Sequence, residues 1–255
     1  MKKTKIISFA NHKGGVSKTT TTASVGSILA KKGYKVLLID LDAQANLTTS
    51  LLKDQTENSI YDALMGDCAL PCLNISENLD IVPADERLAL ADIMLSGKIS
   101  RERILKGLIT DEVKERYDFI LIDCPPHLDL LVMNALTCSN EIIIPIVAEV
   151  LPFKGLIMIQ KFIDEIHKAL NEEAHISGIL IARWESTILT NQTEENIRKK
   201  YGDIVFKTKI RKNISLAEAP NQHTNIVDYA PKSNGAIDYL QFTEELLRKL
   251  GFKNQ

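Results

Sequence analysis

The chain has 255 residues, of which 45% are hydrophobic, and a formal net charge of -2. This length and composition are typical of one globular domain with a sizeable core, and we expect residues 1–255 to form a single domain. The near-neutral charge excludes strong nonspecific binding of nucleic acid through total charge alone, although a local basic patch could still provide it. No apolar run reaches the roughly 18 to 20 residues that a membrane-spanning helix needs.

The start of the chain, MKKTKIISFANHKGG, runs from a basic beginning directly into a loop with two glycines. Cleavage of a signal peptide would destroy that loop, so we expect a cytoplasmic protein. The cysteines at positions 68, 72, 124 and 138 are then expected to be ordinary thiols. Cys68 and Cys72 have no second close pair or neighbouring histidine that would complete a zinc site.

Strand and helix patterns alternate along the whole chain. Apolar, β-branched runs predict buried parallel strands at 4–10, 35–41, 79–84, 118–124, 141–147 and 176–182. Helical patterns predict helices at 18–32, 101–115, 129–138, 154–170, 190–201 and 234–250. This order predicts an α/β fold, with a doubly wound, mainly parallel sheet flanked by helices. In such sheets, ligands bind beyond the carboxyl ends of the strands.

Residues 10–26, ANHKGGVSKTTTTASVG, join the first predicted strand to the first predicted helix and have the frame of a phosphate-binding loop. Lys18 would reach the β- and γ-phosphates of a nucleotide, and the Thr19 hydroxyl would ligate Mg²⁺. Ser17 stands where that frame has glycine, and we expect little effect if its backbone angles are negative. The pattern predicts a P-loop NTPase fold whose nucleotide site includes Gly14, Gly15, Val16, Ser17, Lys18, Thr19 and Thr20.

Three aspartates lie at the ends of predicted strands. Asp40 and Asp42 follow VLLI, and Asp123 follows FILI. An Asp at this position beside a phosphate loop can hold Mg²⁺ through water. A single strand-end Asp could equally cap a helix or form a turn, but three of them beside the loop favour a metal site. If the strand is still extended there, Asp40 and Asp42 lie on the same side, so one could support the metal and the other orient the attacking water.

The segments KGGVSKTT, LLIDLDAQANLT and FILIDCPP resemble the ParA/MinD superfamily of deviant Walker ATPases, and within it the short Soj-type ParA partitioning proteins. The resemblance covers nearly the whole chain, because IRKNISLAEAPNQHTNIVDYAPKSNGAIDYLQFTEELL is similar to the C-terminal region of that group. Two positions depart from the family pattern. Ser17 replaces the last glycine of KGGVGKTT, and Arg211-Lys212 stands where Pro-Arg is usual.

The resemblance implies how the site would work. In this family the lysine at the position of Lys13 reaches across a two-fold interface to the phosphates of the partner subunit, so that two ATP molecules lie between two subunits. From the loop alone, Lys13 could equally be a solvated lysine. The resemblance also implies a slow ATPase with ATP and Mg²⁺ bound, in which Asp42 activates water while Asp40 and Asp123 support the Mg²⁺ shell.

Two further sets of candidates lie outside the loop. For contacts to adenine the candidates are Arg183 and Pro220, although Arg183 could also be a surface or cap residue. Residues 198–212 hold seven Lys or Arg against one Asp, which is either a solvated charged face or a phosphate-backbone patch. The DNA-contact candidates are Arg198, Lys199, Lys200, Lys207, Lys209, Arg211 and Lys212.

The family resemblance also implies partners: an ATP-dependent homodimer, nonspecific double-stranded DNA and a ParB-like centromere-binding protein, in a cytoplasmic, nucleoid-associated setting. Only about ten residues precede the loop, so we expect no N-terminal helix-turn-helix and no operator recognition.

Two relatives of other function remain as alternatives. A MinD-like membrane-associated positioning ATPase would need a basic amphipathic C-terminal helix, whereas TEELLRKLGFKNQ is typical of a packing helix; we therefore expect no membrane partner. A reductase resembling the nitrogenase iron protein would need two cluster cysteines per chain, and the positions of Cys124 and Cys138 do not match that pattern.

Overall fold

The computed structural model describes residues 3–54, 56–148 and 152–252. Within these residues, seven strands form one sheet, and the buried aliphatic residues of the central strands explain why those strands lie inside it. The strands are β1 (Lys5–Phe9), β2 (Val36–Asp40), β3 (Leu73–Ser76), β4 (Leu79–Val82), β5 (Phe119–Asp123), β6 (Glu141–Val147) and β7 (Ile176–Ala182).

The order of strands across the sheet is β3-β4-β2-β5-β1-β6-β7, and only the β3–β4 pair among these neighbours is antiparallel. The prediction of a doubly wound, mainly parallel sheet is confirmed. In the register of β2 against β5, Asp40 lies opposite Asp123. The parallel arrangement therefore brings the ends of two separate sequence motifs to one edge of the sheet.

Helices cover both faces of the sheet. The α-helices are α1 (Lys18–Lys31), α2 (Asn46–Leu51), α3 (Ile60–Met65), α4 (Ala91–Leu95), α5 (Ile104–Leu108), α6 (Asp111–Arg116), α7 (Leu130–Cys138), α8 (Pro152–Ala169), α9 (Ile188–Tyr201), α10 (Ser215–Glu218), α11 (Ile226–Tyr229) and α12 (Asn234–Lys249). One buried cluster lies beneath α3, α4, α5, α7 and α8, and a second lies beneath α1, α11 and α12.

The single helix predicted over 101–115 is wrong. A short 3-10 segment (Arg101–Arg103) is followed by α5 and α6, which are separate helices. Thr110 causes the break, because its side chain accepts a hydrogen bond from the backbone N–H of Val113 and so begins a new helix. The short edge strand β3 is absent from the prediction, since its sequence LNIS contains only two aliphatic residues.

The C-terminal helix α12 is a core element. Tyr239, Phe242 and Leu246 are buried on its inner face, and Phe242 packs edge-on against the ring of Phe206. This agrees with the interpretation of its sequence as a packing helix. Within the described part of the chain, no helix combines the length and apolar character required to cross a bilayer.

Candidate nucleotide-binding site

The loop between β1 and α1 has the backbone of an anion-binding turn, with two residues in the left-handed region. Gly15 has a φ of 72°, and Ser17 has a φ of 70° and a ψ of 28°. The condition of negative backbone angles, under which we expect Ser17 to have little effect, is therefore not met. The loop needs a left-handed residue at this position, which glycine adopts without penalty and serine does not.

Lys18 lies beneath the loop rather than in solvent. Its side chain is buried, and its ammonium group is 3.5 Å from the carbonyl oxygen of Lys13. Burial lowers the pKa of Lys18, while the negative charge of Asp123 opposes that shift. A buried ammonium group with this partial compensation is suited to an anionic ligand.

Thr19 and Asp123 are brought into direct contact. The Thr19 hydroxyl donates a hydrogen bond of 2.6 Å to Oδ2 of Asp123. The other carboxyl oxygen of Asp123, Oδ1, is buried and has no hydrogen-bond partner among the described residues. Burial, and then the charge of Asp40, raise the pKa of Asp123 well above its usual range. An acid this poorly solvated is a place where a cation would be stabilised.

Asp40 and Asp42 have different surroundings. Asp40 is fully buried and accepts hydrogen bonds from the backbone N–H of Thr48 (2.9 Å), the Thr48 hydroxyl (2.8 Å) and the N–H of Asp42 (3.1 Å). Burial raises the pKa of Asp40 to about 6, despite the hydrogen bonds from Thr48. Asp42 instead lines the open cleft beside the loop. Asp40 thus holds the segment that carries Asp42 and the start of α2.

The two adenine candidates line different pockets. Arg183 lines a cleft of about 710 Å³ together with the phosphate loop, Asp42 and Asn213, and its Nη1 donates to the carbonyl oxygen of Gly15 at 3.2 Å. Pro220 lines an adjoining pocket of about 590 Å³ between α1, α2 and α11. Thr19 and Thr20 line both pockets, but Arg183 and Pro220 do not meet in one of them.

Carboxylates from outside the basic segment 198–212 neutralise much of its charge. Glu194 is ion-paired with both Arg198 (2.9 Å) and Lys209 (2.8 Å). The guanidinium of Arg211 contacts the buried Asp238 at 2.6 Å.

The remaining cations of this segment differ in position. Lys212 contacts Glu185 at 3.2 Å and also lines the nucleotide cleft. Lys199, Lys200 and Lys207 are exposed, and no carboxylate of the described residues forms an ion pair with them. The segment therefore combines paired cations with three available lysines.

Two residues that support the loop are absent from the sequence prediction. Asn11 is buried, donates to the carbonyl oxygen of Pro145 at 2.7 Å and accepts from the N–H of Lys13 at 3.0 Å. Gly155 of α8 lies against the His12 ring, so closely that an added Cβ would be 2.2 Å from Cε1 of His12. A polar residue directly after a strand is a signal that could have identified Asn11, but nothing in the sequence indicates the contact between Gly155 and His12.

Comparisons with known proteins agree with this geometry. A family described as "AAA domain" matches residues 4–176. The sporulation initiation inhibitor protein Soj of Bacillus subtilis (strain 168) is 41% identical over 248 residues, which is 95% of this chain and 98% of that protein. The chromosome-partitioning ATPase Soj of Thermus thermophilus is 34% identical over 249 residues, 97% of each.

Among solved structures, the protein from Mycobacterium smegmatis described as cobyrinic acid a,c-diamide synthase, with bound ADP and magnesium, has a TM-score of 0.85. It is 31% identical in sequence, and the match covers 97% of this chain and 96% of that one. The same protein is also known with a bound ATP analogue and magnesium. The family match and the near full-length similarity to Soj confirm the resemblance, and the chain belongs to the ParA/MinD-type family of AAA-domain ATPases.

Proposed function

We propose that the protein is an ATP-dependent DNA-partitioning ATPase, which dimerises around ATP, binds DNA without sequence preference and is released after hydrolysis. The observation that carries this proposal is the convergence of Lys18, Thr19 and Asp123 beneath the phosphate loop. The names of the Soj relatives, which describe chromosome partitioning and inhibition of sporulation, support the biological role.

The residues beneath the loop fit a nucleotide with Mg²⁺. Thr19 offers a hydroxyl oxygen, and Asp123 has a buried carboxyl oxygen without a partner among the described residues. No group of three or more His, Cys, Asp or Glu in the described ranges could hold a metal by itself. This matches Mg²⁺, which keeps most of its waters and binds to few protein groups together with the phosphates. Bound there, Mg²⁺ would neutralise phosphate charge.

Each remaining group has a distinct task in this proposal. Lys18 compensates the charge of the β- and γ-phosphates, and its burial makes that interaction stronger than in water. Asp42 lines the cleft and orients the attacking water. Asp40 acts through the hydrogen bonds that hold the segment following β2, so we assign it a positioning role in support of the metal. We assign contact with the adenine to Arg183, which lines the same cleft.

The dimer is supported by Gly14. Among the described residues, a Cβ at this position would meet only Cβ of Pro126, at 3.9 Å, and the φ of Gly14 is not in the left-handed region. Nothing in the described part of one subunit therefore requires glycine here. Close approach of a second backbone would require it, and the exposed Lys13 beside it could then reach the phosphates of the partner. Dimerisation would in this way depend on the γ-phosphate.

Variants of three residues test this division of roles. Lys18→Ala should lose nucleotide binding. Lys13→Ala should bind ATP as a monomer and fail to hydrolyse it, because the cation supplied in trans is missing. Asp42→Ala should bind ATP and persist as a dimer, because hydrolysis is blocked. Calorimetry, light scattering and phosphate release measure the three steps. Tight ATP binding by Lys18→Ala, hydrolysis by Lys13→Ala or a monomeric Asp42→Ala would refute the assignment.

DNA and a ParB-like protein are the partners in this proposal. The available lysines of the 198–212 segment would be duplicated in a two-fold dimer, and the dimer would be nucleoid-associated while it holds ATP. A ParB-like centromere-binding protein would accelerate hydrolysis and so release the dimer from DNA.

A further inference from the structure

Large apolar side chains are exposed on one surface between β4 and α5, away from the nucleotide cleft. Leu90 (54%), Ile93 (72%), Met94 (54%) and Ile99 (96%) are all more than half exposed. We call these four residues the α4 patch. Leu88, Ala91 and Leu95 of the same segment are buried in the core. The segment is thus apolar on both sides, and only its inner side is accounted for by folding.

A pair of carboxylates borders the α4 patch. Asp92 lies between Leu90 and Ile93 in the sequence, and α4 packs against α7, whose first residue is preceded by Asp129. Asp129 caps α7 by accepting from the N–H of Val132 at 3.2 Å. Burial, and also the charge of Asp92, raise the pKa of Asp129. Within the described ranges, neither carboxylate forms an ion pair with a Lys, Arg or His.

Two cations, Lys98 and Arg101, follow α4 in the sequence, and both donate hydrogen bonds to backbone carbonyl groups. Lys98 donates to the carbonyl oxygens of Leu64 (3.1 Å) and Met65 (2.6 Å). Arg101 donates to the carbonyl oxygen of Ser96 at 2.7 Å. The helical part of the patch, residues 90–95, carries Asp92 and no Lys or Arg, which disfavours contact of that part with a nucleic acid or an anionic lipid surface.

We propose that the α4 patch docks a basic amphipathic helix of a protein partner. The apolar side of that helix would cover Leu90, Ile93 and Met94, and a Lys or Arg of the helix would reach the carboxylates of Asp92 and Asp129. A basic amphipathic helix would match both the exposed apolar side chains and the two carboxylates, whereas neither property alone identifies a partner. The surrounding apolar contacts would exclude water from the new ion pair and so strengthen that pair.

The docking surface is connected to the nucleotide site through one short loop. This loop, residues 124–129, begins directly after Asp123, carries Pro126 into the lining of the nucleotide cleft and ends at Asp129. A cation bound to Asp129 would act on both the cap of α7 and this loop. Partner affinity and nucleotide state are then linked, and this step rests on the proposed function.

Two synthetic helical peptides with the same leucines test the docking surface, one with lysines and the other with glutamates at its polar positions. Binding to the full chain is measured by fluorescence anisotropy and mapped by hydrogen exchange, with ADP and with an ATP analogue. The lysine peptide should bind and slow exchange at 88–99 and 129–133. The glutamate peptide should bind at least about tenfold more weakly.

Variants then separate the two parts of the surface. Ile93→Ser/Met94→Ser should abolish peptide binding, and Asp92→Asn should reduce the preference for lysine. Ile188→Ser, at an exposed residue of α9, is the matched control and should change neither. Equal binding of the two peptides, protection outside the patch, or protection of the patch by anionic vesicles would overturn the proposal. The result is independent of the proposed function, because a chain that docks the peptide but binds no ATP would refute only the latter.

Discussion

At the scale of single residues, Ser17 is the feature that most distinguishes this loop. Its left-handed backbone is maintained by the first turn of α1, because its carbonyl oxygen accepts from the N–H (2.9 Å) and the hydroxyl (2.6 Å) of Thr21. The Thr21 hydroxyl also lies 3.0 Å from the hydroxyl of Tyr239 in α12. Contacts from two helices thus hold a conformation that a serine would not adopt alone.

Ser17→Gly should stabilise the protein. Glycine adopts the left-handed conformation without the clash of a Cβ, which costs about 1–2 kcal/mol, partly offset by the greater freedom of glycine in the unfolded chain. The melting temperature in the absence of nucleotide should rise by about 2–4 °C for each kcal/mol gained. Ser17→Ala keeps the Cβ and is the control that should show no such gain. Equal melting temperatures for the glycine variant and the original protein would mean that the loop is not strained at this position.

At the scale of elements, the sequence predicts the buried parts best. Strands such as β5 and β6 are continuous apolar runs, because the parallel sheet is covered on both faces. Helices of four to six residues, such as α2, α4 and α11, are too short to show a helical period. Thr110 separates α5 from α6 through a single capping hydrogen bond. Whether that bond forms depends on tertiary packing as much as on local sequence.

The candidate site divides in a similar way between local and long-range features. The phosphate loop and the strand-end aspartates are local motifs, and their convergence follows from the parallel sheet. The φ of Ser17 and the separation of Arg183 from Pro220 are products of three-dimensional packing. The ion pair between Arg211 and Asp238 joins residues of separate elements, so a count of charges along the sequence cannot reveal it.

The contact between α8 and the phosphate loop yields a prediction for Gly155. In Gly155→Ala the new methyl group would overlap the ring of His12. Nδ1 of that ring lies 3.2 Å from Oδ1 of Asn11, and the same oxygen accepts from the N–H of Lys13 in the phosphate loop. The variant should be less stable by about 1–3 kcal/mol, the usual cost of overpacking, and should bind ADP more weakly. Thermal unfolding and calorimetry measure the two effects.

The double variant His12→Ala/Gly155→Ala is the control for this contact. Removal of the imidazole ring creates space for the new methyl group, so stability should return towards that of His12→Ala alone. If Gly155→Ala is as stable as the original protein and binds ADP equally well, α8 does not constrain the loop.

At the scale of the whole molecule, the proposed DNA surface depends on which cations remain available. The formal net charge is -2, so attraction to DNA has to come from a local group of cations. Glu194 and Asp238 already compensate Arg198, Lys209 and Arg211. This pairing shifts our expectation for direct phosphate contacts towards Lys199, Lys200 and Lys207, and makes Arg211 chiefly a link between α12 and the segment after β7.

Lys199→Gln/Lys200→Gln should therefore weaken DNA binding and its dependence on salt. Each neutralised phosphate contributes about -0.9 to the slope of log affinity against log salt. The variant removes two cations per subunit and four per dimer, so the slope should flatten by up to about 3.6 if all four contact phosphates.

Salt titrations on two duplexes of unrelated sequence, with an ATP analogue and with ADP, measure this effect. Affinity should depend on the analogue and hardly on base sequence, because phosphate contacts carry no sequence information. Lys106→Gln/Lys114→Gln changes the charge equally in a pocket lined by Thr4 and Ile6 near the start of β1, and should leave the slope unchanged. Equal affinity with ADP and the analogue would contradict ATP-dependent DNA binding, and equal slopes for the two double variants would place the DNA surface elsewhere on the protein.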